Sequence, residues 1–433
     1  MSKVAFITLG CKVNQYETNA MSQEFIEKGY EVVEHHEKAD IYVINTCTVT
    51  NMSDRKSRQM LRRVKELNPN SIVIACGCYV QVAKDEVAKI EDIDLILGNN
   101  EKKNIVEHLE QYQKDKKRQL EIEDLMQQRE FVEFGDVTYT EKTRAVVKIQ
   151  DGCDRFCSYC IIPYARGRVR SRKPEGIISE ITKIAQEGIK EVVITGIHVA
   201  SYGKDFKENY GLIDLLENLN RIEGIKRIRL SSIEPLILDE QFINRLSKLE
   251  KICHNFHLSL QSGCDETLKR MNRRYNTEQF KTVVNLIRNT YKDAILTADV
   301  IVGFPGETEE EFEKTYKFLE DVKFYKTHVF KYSPRKGTKA AVMENQIDGN
   351  IKEQRSKKLI ELSNNFEKEY NESYIGKTVE VLWEEEKEGI YKGHTQNYLL
   401  AYYKPEKGDM NLENKITKAN CISAESDHII VEI

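Results

Sequence analysis

Residues 145–160 read AVVKIQDGCDRFCSYC. The first six positions are rich in β-branched and apolar side chains, the grammar of a buried strand. Asp151-Gly152 ends that strand, and Cys153, Cys157 and Cys160 follow it within eight residues. The same pattern of strand, then glycine or polar residue, recurs toward the C-terminus: EVVITG (191–196), IKRIRLSS (225–232), NFHLSLQSG (255–263), ILTADVIVGFPGE (295–307) and THVFKYSP (327–334). Helical stretches such as Glu175–Glu187 and Thr277–Asn289 separate the first five. Six β/α units predict a partial (β/α)6 barrel, open on one side because a closed one needs eight. The chemically distinctive residues Cys153, Gly196, Ser232, Gln261 and Gly303 fall just past the strands, on the face that carries chemistry in β/α barrels. A long charged helix, Lys352–Tyr370, closes this unit.

Toward the N-terminus the chain reads VAFITLG (4–10), IYVINTCTV (41–49) and SIVIACGC (71–78), with a polar helix Met21–Lys28 and a basic helix Ser53–Leu67 between them. Continuous apolar runs of strand length, separated by helices, predict a parallel βαβ sheet buried on both faces. Each run ends at or near a cysteine: Cys11, Cys47, and the pair Cys76 and Cys78. The crevice of an open α/β sheet lies beyond the carboxyl ends of its strands, so these distant cysteines can meet. The charged run EHLEQYQKDKKRQLEIEDLMQQRE (107–130) is expected as a solvated helical linker. After the closing helix, TVEVLWEE, GIYKGHTQNYLLAYYK and HIIVEI predict a small antiparallel β-barrel of the oligonucleotide-binding kind. The expected organisation is α/β: a parallel-sheet domain (1–113), a charged linker (114–138), the partial barrel (139–370) and the terminal β-barrel (371–433).

Charged residues make up 31% of the 433 and hydrophobic ones 40%, as in ordinary globular chains. No apolar run approaches the ~20 residues that span a bilayer, and the N-terminus reads as a strand rather than a secretory signal. The expectation is a cytoplasmic protein with no membrane partner, whose ten cysteines serve metal or redox chemistry rather than disulfides. Net charge is −4, yet cations cluster around the cysteines: Arg55, Lys56, Arg58, Arg62, Arg63 and Lys65 after Cys47; Arg155, Arg166, Arg168, Arg170, Arg172 and Lys173 around the triad; Lys269, Arg270, Arg273 and Arg274 further on. Such patches are either solvated helix faces or the footprint of a nucleic acid; three of them beside candidate ligands favour RNA.

Three thiolates at the spacing of Cys153, Cys157 and Cys160 can hold three corners of a 4Fe–4S cubane. The fourth iron then lacks a protein ligand and is free to take donor atoms from a small molecule. A structural zinc site needs a fourth cysteine or histidine, and none lies close in sequence.

CDRFCSYC resembles the signature of the radical S-adenosylmethionine superfamily. GCDRFCSYCIIPYARG, ITGIHVASYG, LSSIEP, LSLQSG, MNRRY, DVIVGFPGET and YSPRKGTKA together resemble the methylthiotransferases of that superfamily. TLGCKVNQYET, NTCTV and GCYVQ resemble their extra N-terminal domain, and the terminal barrel resembles their RNA-binding TRAM module. The resemblance covers nearly the whole chain. It implies that the cluster on Cys153, Cys157 and Cys160 binds S-adenosylmethionine and cleaves it reductively to a 5′-deoxyadenosyl radical. It also implies a second 4Fe–4S cluster on Cys11, Cys47 and Cys78. Cys78 is preferred over Cys76 because Gly77-Cys78-Tyr79 matches the motif; Cys253, Cys264 and Cys421 are expected to be structural. Phe156 and Tyr159 are expected to shield the first cluster. Gly196, Gln261 and Asp299 are expected in the S-adenosylmethionine pocket, with Glu234 similarly placed.

Gly10-Cys11-Lys12-Val13-Asn14 further resembles the branch that adds a methylthio group to carbon 2 of N6-threonylcarbamoyladenosine at tRNA position 37. The branch acting on isopentenyladenosine reads like GCQMN there, and the branch acting on a ribosomal-protein aspartate like GCPKN; these stand as alternatives, with a non-catalytic cluster carrier as the remote one. The partners so implied are a tRNA anticodon stem-loop, a reductant such as a flavodoxin or ferredoxin, and a sulfur source. RNA contacts are expected from Arg62, Arg63, Arg168, Arg170 and Arg335, the last three as forks for the threonylcarbamoyl carboxylate. The terminal barrel has no arginine after Arg355, whereas phosphate binding calls for cations. It is expected either to bind through Lys392, His394, Tyr398 and Tyr402 or to leave binding to the basic patches near the clusters; the second is favoured.

Overall fold

The computed structural model describes all residues except 136, 138–142 and 406–410. Its first unit is a six-stranded sheet of β1 (Lys3–Thr8), β2 (Glu31–Val33), β3 (Ile41–Thr46), β4 (Ile72–Gly77), β5 (Leu95–Leu97) and β6 (Gln119–Glu121). Every pair is parallel and the order is β2-β1-β3-β4-β5-β6. β3 is buried at all six positions, which is why its sequence is a continuous apolar run rather than an alternating one. Because β1, β3 and β4 are neighbours, their carboxyl ends stand side by side.

The helix after β1 runs Lys12–Glu27, starting nine residues earlier than the expected polar helix Met21–Lys28. Its first turns bury Asn14, Glu17 and Thr18 against polar partners, and a buried polar face leaves no hydrophobic period to read. The basic helix, Asn51–Leu67, starts where the Thr50 hydroxyl accepts from the Ser53 amide, an N-cap. The charged run 107–130 is not one helix: Ile105–Asp115 is helical, Lys116 turns into the left-handed region at φ 55°, and β6 then extends the sheet beside β5. The expected start of the next domain, at residues 138–139, falls outside the described residues.

The second unit carries β7 (Arg144–Asp151), β8 (Arg170–Ser171), β9 (Glu191–Gly196), β10 (Arg227–Leu230), β11 (Asn255–Gln261), β12 (Ile295–Val302) and β13 (Lys326–Lys331). β10-β9-β7 and β11-β12-β13 are parallel sheets, with β8 antiparallel at the β7 edge. Single parallel bridges, Ile228–Ile252 and Ile233–Leu258, join them into one six-stranded arc. Alternate residues face opposite ways along each strand. Val147, Ile149, Val192, Ile194, Leu258, Leu260, Ala298 and Val300 belong to the core shared with the outer helices. Lys148, Gln150, Glu191, Thr195, Arg229, His257 and Asp299 stand at the alternate positions, so the lumen is polar.

The helix Gly349–Glu372 packs on β13. Beyond it, β14 (Thr378–Lys387), β15 (Ile390–Thr395), β16 (Leu400–Tyr403), β17 (Ile416–Ala424) and β18 (Ile429–Glu432) close a barrel in the order β14-β15-β16-β18-β17 around Trp383. It is antiparallel except for the β16–β18 pair, which is parallel.

This barrel seats on the amino-terminal ends of the β/α strands, opposite the cysteines. Arg227 donates to the His394 carbonyl at 2.8 Å, Asn397 to that of Asp293 at 2.8 Å, and Gln396 to that of Ile252 at 3.1 Å. Arg144 pairs with Glu384, and the Arg229 guanidinium lies 4.1 Å from the centre of the Tyr398 ring, which stacks on His394. Two of the four residues expected as an RNA-facing surface, His394 and Tyr398, are therefore spent on this seat. Of the others, Lys392 pairs with Glu385 and Tyr402 packs on His428.

Candidate metal centre and its surroundings

Cys153 follows Gly152, whose φ of 71° no branched residue tolerates easily; a Cβ there would come within 1.8 Å of the Arg168 carbonyl. The Cys153 amide donates to the Gly167 carbonyl at 3.0 Å, and the Cys160 amide to that of Cys157 at 2.9 Å. The loop is clasped from two sides. Ser158 donates through its amide to the Met271 carbonyl and through its hydroxyl to that of Arg270, at 3.0 and 2.8 Å. The Ala340 amide donates to the Ser158 carbonyl at 2.7 Å, and Asn272 to that of Phe156 at 3.0 Å. The MNRRY and GTKA stretches are thus the fasteners of the cysteine loop. Tyr159 packs edge-on against Phe304 and joins the apolar group of Met271, Tyr332 and Ala340. Arg168 covers Phe156 at 4.9 Å.

Arg273 donates to the Cys157 sulfur at 3.2 Å and the Arg155 amide to that of Cys153 at 3.5 Å. Burial pushes the Cys153 thiol up to about 11 and the Cys160 thiol up to about 12, so cationic charge is needed before either becomes a thiolate. Glu234 is buried among Arg155, His198 (3.3 Å) and Arg273 (3.9 Å). Burial alone would raise its carboxyl, but the close His198 ring and the Arg155 and Arg273 charges outweigh it and hold it at about 2.

The second set sits where the topology predicts. Cys11 is the N-cap after β1, Cys47 follows β3, and Cys78 opens the short helix Cys78–Val82 after β4. They are close: a Cβ on Gly10 would lie 2.8 Å from the Cys47 sulfur. Burial raises the Cys11 and Cys47 thiols, and the Cys78 sulfur adds repulsion to both. Arg166 donates from Nε to the Cys78 sulfur at 3.1 Å. Cys76 points the other way, into the core with Val4, Met21 and Ile41, and burial takes its thiol to about 12.

One helix links the two sets. Ile162–Arg166, directly after Cys160, packs on Cys78–Val82, and Asn99 ties to the Ala165 carbonyl at 2.7 Å. Around Arg166 lies a buried charge network that sequence reasoning missed. Glu17 contacts Lys102 at 2.5 Å, Lys148 at 2.7 Å and Arg166; Asp151 contacts Lys148 at 2.5 Å and Arg166 at 3.4 Å. Arg166 also donates to Asn14 at 2.6 Å.

The other expected residues divide. Gly196 closes β9, where its bare Cα admits Gln150; a Cβ would meet Oε1 at 2.9 Å. Gln150 in turn donates to the carbonyls of Asp151 and Gly152 and accepts from the His198 amide at 2.7 Å, so this pair shapes the cysteine loop. Gln261 takes φ 69° at a β-bulge. Asp299 meets His257 Nε2 at 3.1 Å in the lumen, with the His328 ring 5.5 Å from that of His257. Arg62 and Arg63 are exposed on the basic helix. Arg168 is half-exposed and pairs with Asp154 at 3.2 Å. Arg170 and Arg335 are 1% and 5% exposed: Arg170 donates to the Arg166 carbonyl at 2.8 Å, and Arg335 bridges to Thr48 and Asp54, each at 2.6 Å. Both are internal struts.

The donor sets fit iron–sulfur clusters. Each is three sulfurs, beside a guanidinium that offsets thiolate charge. A single tetrahedral zinc with ~2.3 Å Zn–S bonds would draw sulfurs to within about 4 Å of one another. Among the described residues, the three potential ligand atoms that all lie within 4.8 Å of each other belong to exposed Glu34, His35 and His36, not to either triad.

Residues 147–319 match the Radical SAM superfamily and residues 3–98 the Uncharacterized protein family UPF0004. The chain is 43% identical over 430 residues to the threonylcarbamoyladenosine tRNA methylthiotransferase MtaB of Bacillus subtilis (strain 168), covering 98% of this chain and 94% of the relative. It is 35% identical to a tRNA-2-methylthio-N(6)-dimethylallyladenosine synthase of Clostridium botulinum (strain Hall), covering 98% and 96%. Among solved structures, the radical S-adenosylmethionine methyltransferase TsrM of Kitasatospora setae, with cobalamin and a [4Fe-4S] cluster bound, superposes with a TM-score of 0.56 at 15% identity, over 79% of this chain and 77% of that one. At that identity the likeness concerns the fold.

Proposed function

Because this chain belongs to the radical S-adenosylmethionine tRNA methylthiotransferase family, enzymes that use S-adenosylmethionine and 4Fe–4S clusters, we propose that its substrate is N6-threonylcarbamoyladenosine at tRNA position 37 and its product the 2-methylthio derivative. Cys153, Cys157 and Cys160 hold one cluster; Cys11, Cys47 and Cys78 hold the other. When bound, the first supplies the electron that cleaves S-adenosylmethionine, and the second carries the sulfur to be transferred. The observation that carries the reading is the pair of three-cysteine sets joined through one short helix, Ile162–Arg166.

The chain's own residues prepare this. Arg166 and Arg273 place guanidiniums against the Cys78 and Cys157 sulfurs. Glu234 fixes Arg155 and Arg273 beside the first set. Gln150 and Gly196 set the turn that presents Cys153. Gln261, His257 and Asp299 line the lumen where S-adenosylmethionine and the adenine meet. An unpaired anticodon-loop base is splayed out at modest cost. Of the arginines expected at the threonylcarbamoyl carboxylate, Arg168 reaches solvent, and Lys12, exposed beside Cys11, is a second cation there. A one-electron reductant, a sulfur source and a cytoplasmic location complete the reading. No helix among the described residues is long and apolar enough to cross a membrane.

The relative with the threonylcarbamoyladenosine name shares more identity, 43% against 35%. Nucleoside mass spectrometry of tRNA from cells with and without the gene decides the substrate. Loss of 2-methylthio-N6-threonylcarbamoyladenosine with its precursor accumulating is the expected result. Loss of the methylthio isopentenyl nucleoside instead, or a changed ribosomal protein with unchanged tRNA, refutes it.

Arg62 and Arg63 supply phosphate contacts in this reading. Reversing both to Glu is expected to weaken tRNA binding and to flatten log K against log salt by about 1.4–1.8, as for two contacts at ~0.7–0.9 each. An unchanged slope in a filter-binding titration speaks against that helix as an RNA face.

A further inference from the structure

A cavity of about 360 Å³ opens on the cysteine loop from a side that the proposed chemistry leaves unused. Phe156, Cys157, Cys160 and Tyr164 form its floor and inner wall; Lys269, Asn272, Lys339 and Met343 are among those forming the rim. No residue of the N-terminal sheet unit lines it, and none of the lumen positions Gln150, His257 or Asp299 does. Two thiols of the first set are thus approachable from a direction that meets neither the second set nor the barrel lumen.

The rim is cationic. Lys269 and Lys339 are exposed, and neither takes part in an ion pair among the described residues; Arg270, in the wall, is held by Glu311. Arg274 and Lys336, both exposed, flank them in sequence. No acidic side chain lines the cavity. Apolar surface lies beside these charges: Tyr164 is 48% and Val342 83% exposed. A small apolar contact ringed by one sign of charge suits a transient partner of opposite charge. Redox encounters bury little area, below ~1,200 Å², and complementary charge raises their on-rates by 10–10³-fold.

We propose that this face docks an acidic, low-potential one-electron donor protein, which reduces the cluster held by Cys153, Cys157 and Cys160. The inference rests on the cluster assignment above. The step is a single electron transfer: the donor is oxidised by one electron, the cluster is reduced by one, and no bond or proton moves. An RNA bound here would face neither the lumen nor the second cysteine set, so the protein donor is favoured.

The test uses the full-length protein with both clusters reconstituted under anaerobic conditions, and the variants Lys269→Glu/Lys339→Glu and Lys269→Gln/Lys339→Gln. Stopped-flow bleaching of cluster absorbance is followed with a reduced flavodoxin of net negative charge and, separately, with dithionite; tRNA affinity is titrated alongside. At low ionic strength the reversal variant is expected to be reduced by flavodoxin at least tenfold more slowly, the neutral variant by a smaller factor, and both deficits should shrink as salt rises. Dithionite reduction and tRNA affinity should match the wild type. An unchanged flavodoxin rate overturns the proposal. Equal slowing with dithionite overturns it by locating the effect in the cluster. Lost tRNA affinity with an intact flavodoxin rate overturns it by giving the face to RNA. None of these rates involves the modified nucleoside, so a wrong substrate assignment would leave the docking result standing.

Discussion

Replacing Cys78 with alanine is expected to abolish methylthio transfer while sparing cleavage of S-adenosylmethionine. The two cysteine sets belong to different units of the fold: Cys78 opens a helix of the N-terminal sheet, while Cys153, Cys157 and Cys160 hang on a loop clasped by Met271, Asn272 and Ala340. The thiol is buried yet at the end of β4, so alanine removes one sulfur without emptying a core. Anaerobic reconstitution should then give about half the wild-type iron per chain, reductant-dependent 5′-deoxyadenosine, and no methylthio nucleoside. The mirror variant, Cys157→Ala, should lose both products because three thiolates are the minimum that leaves one iron open. Cys76→Ala is the control: its sulfur lies in the core behind β4, so iron content and both products should persist. Methylthio product from Cys78→Ala at wild-type yield, or loss of it from Cys76→Ala with Cys78 intact, would reassign the second set.

The units of this fold were legible because their signal is local. Continuous apolar, β-branched runs followed by glycine, cysteine or polar residues located all six barrel strands and the strands that lead to Cys11, Cys47 and Cys78. Parallel topology then brings the cysteines together without further information. What could not be read was which charges are buried. Arg166, Arg170 and Arg335 stand in basic stretches and read as an RNA footprint, yet their partners Glu17, Asn100 and Asp54 lie 70 to 281 positions away in the chain. Charge is visible in a sequence; its pairing across domains is not. The same holds for His394 and Tyr398, whose aromatic and basic character suits RNA as well as it suits the seat beneath Arg144 and Arg229. The early start of the helix at Lys12 was hidden for a related reason, since its inward face is polar.

That polar face yields the largest expected effect on stability. Glu17 is 1% exposed and touches Lys102, Lys148 and Arg166, cations from two units of the fold. Burial opposes its charge, but Arg166, Lys102 and Lys148 prevail and hold the carboxyl well below the usual range. Glu17→Gln keeps the shape and removes the countercharge: Asp151 still faces Lys148 and Arg166, while Lys102 loses the one carboxylate it meets among the described residues. Breaking a buried pair this way costs about 3–5 kcal/mol. The sign of the pH dependence follows. A carboxyl with a depressed folded value contributes its full stability above its unfolded value, ~4.3, and loses it as pH falls toward the folded one. Asp151, held at about 2 by Lys148, Arg166 and Arg170 against burial, adds to the same acid window. Wild type should therefore lose stability steeply below about pH 4.5, and Glu17→Gln should start lower and fall less steeply. The only tryptophan, Trp383, lies inside the terminal barrel, so its fluorescence is blind to this joint. Hydrogen exchange of peptides spanning Lys12–Glu27 and Arg144–Asp151, in urea at pH 7 and pH 4, reads it directly. Equal protection of both peptides in variant and wild type at pH 7 would mean that the network holds no weight in joining the two units.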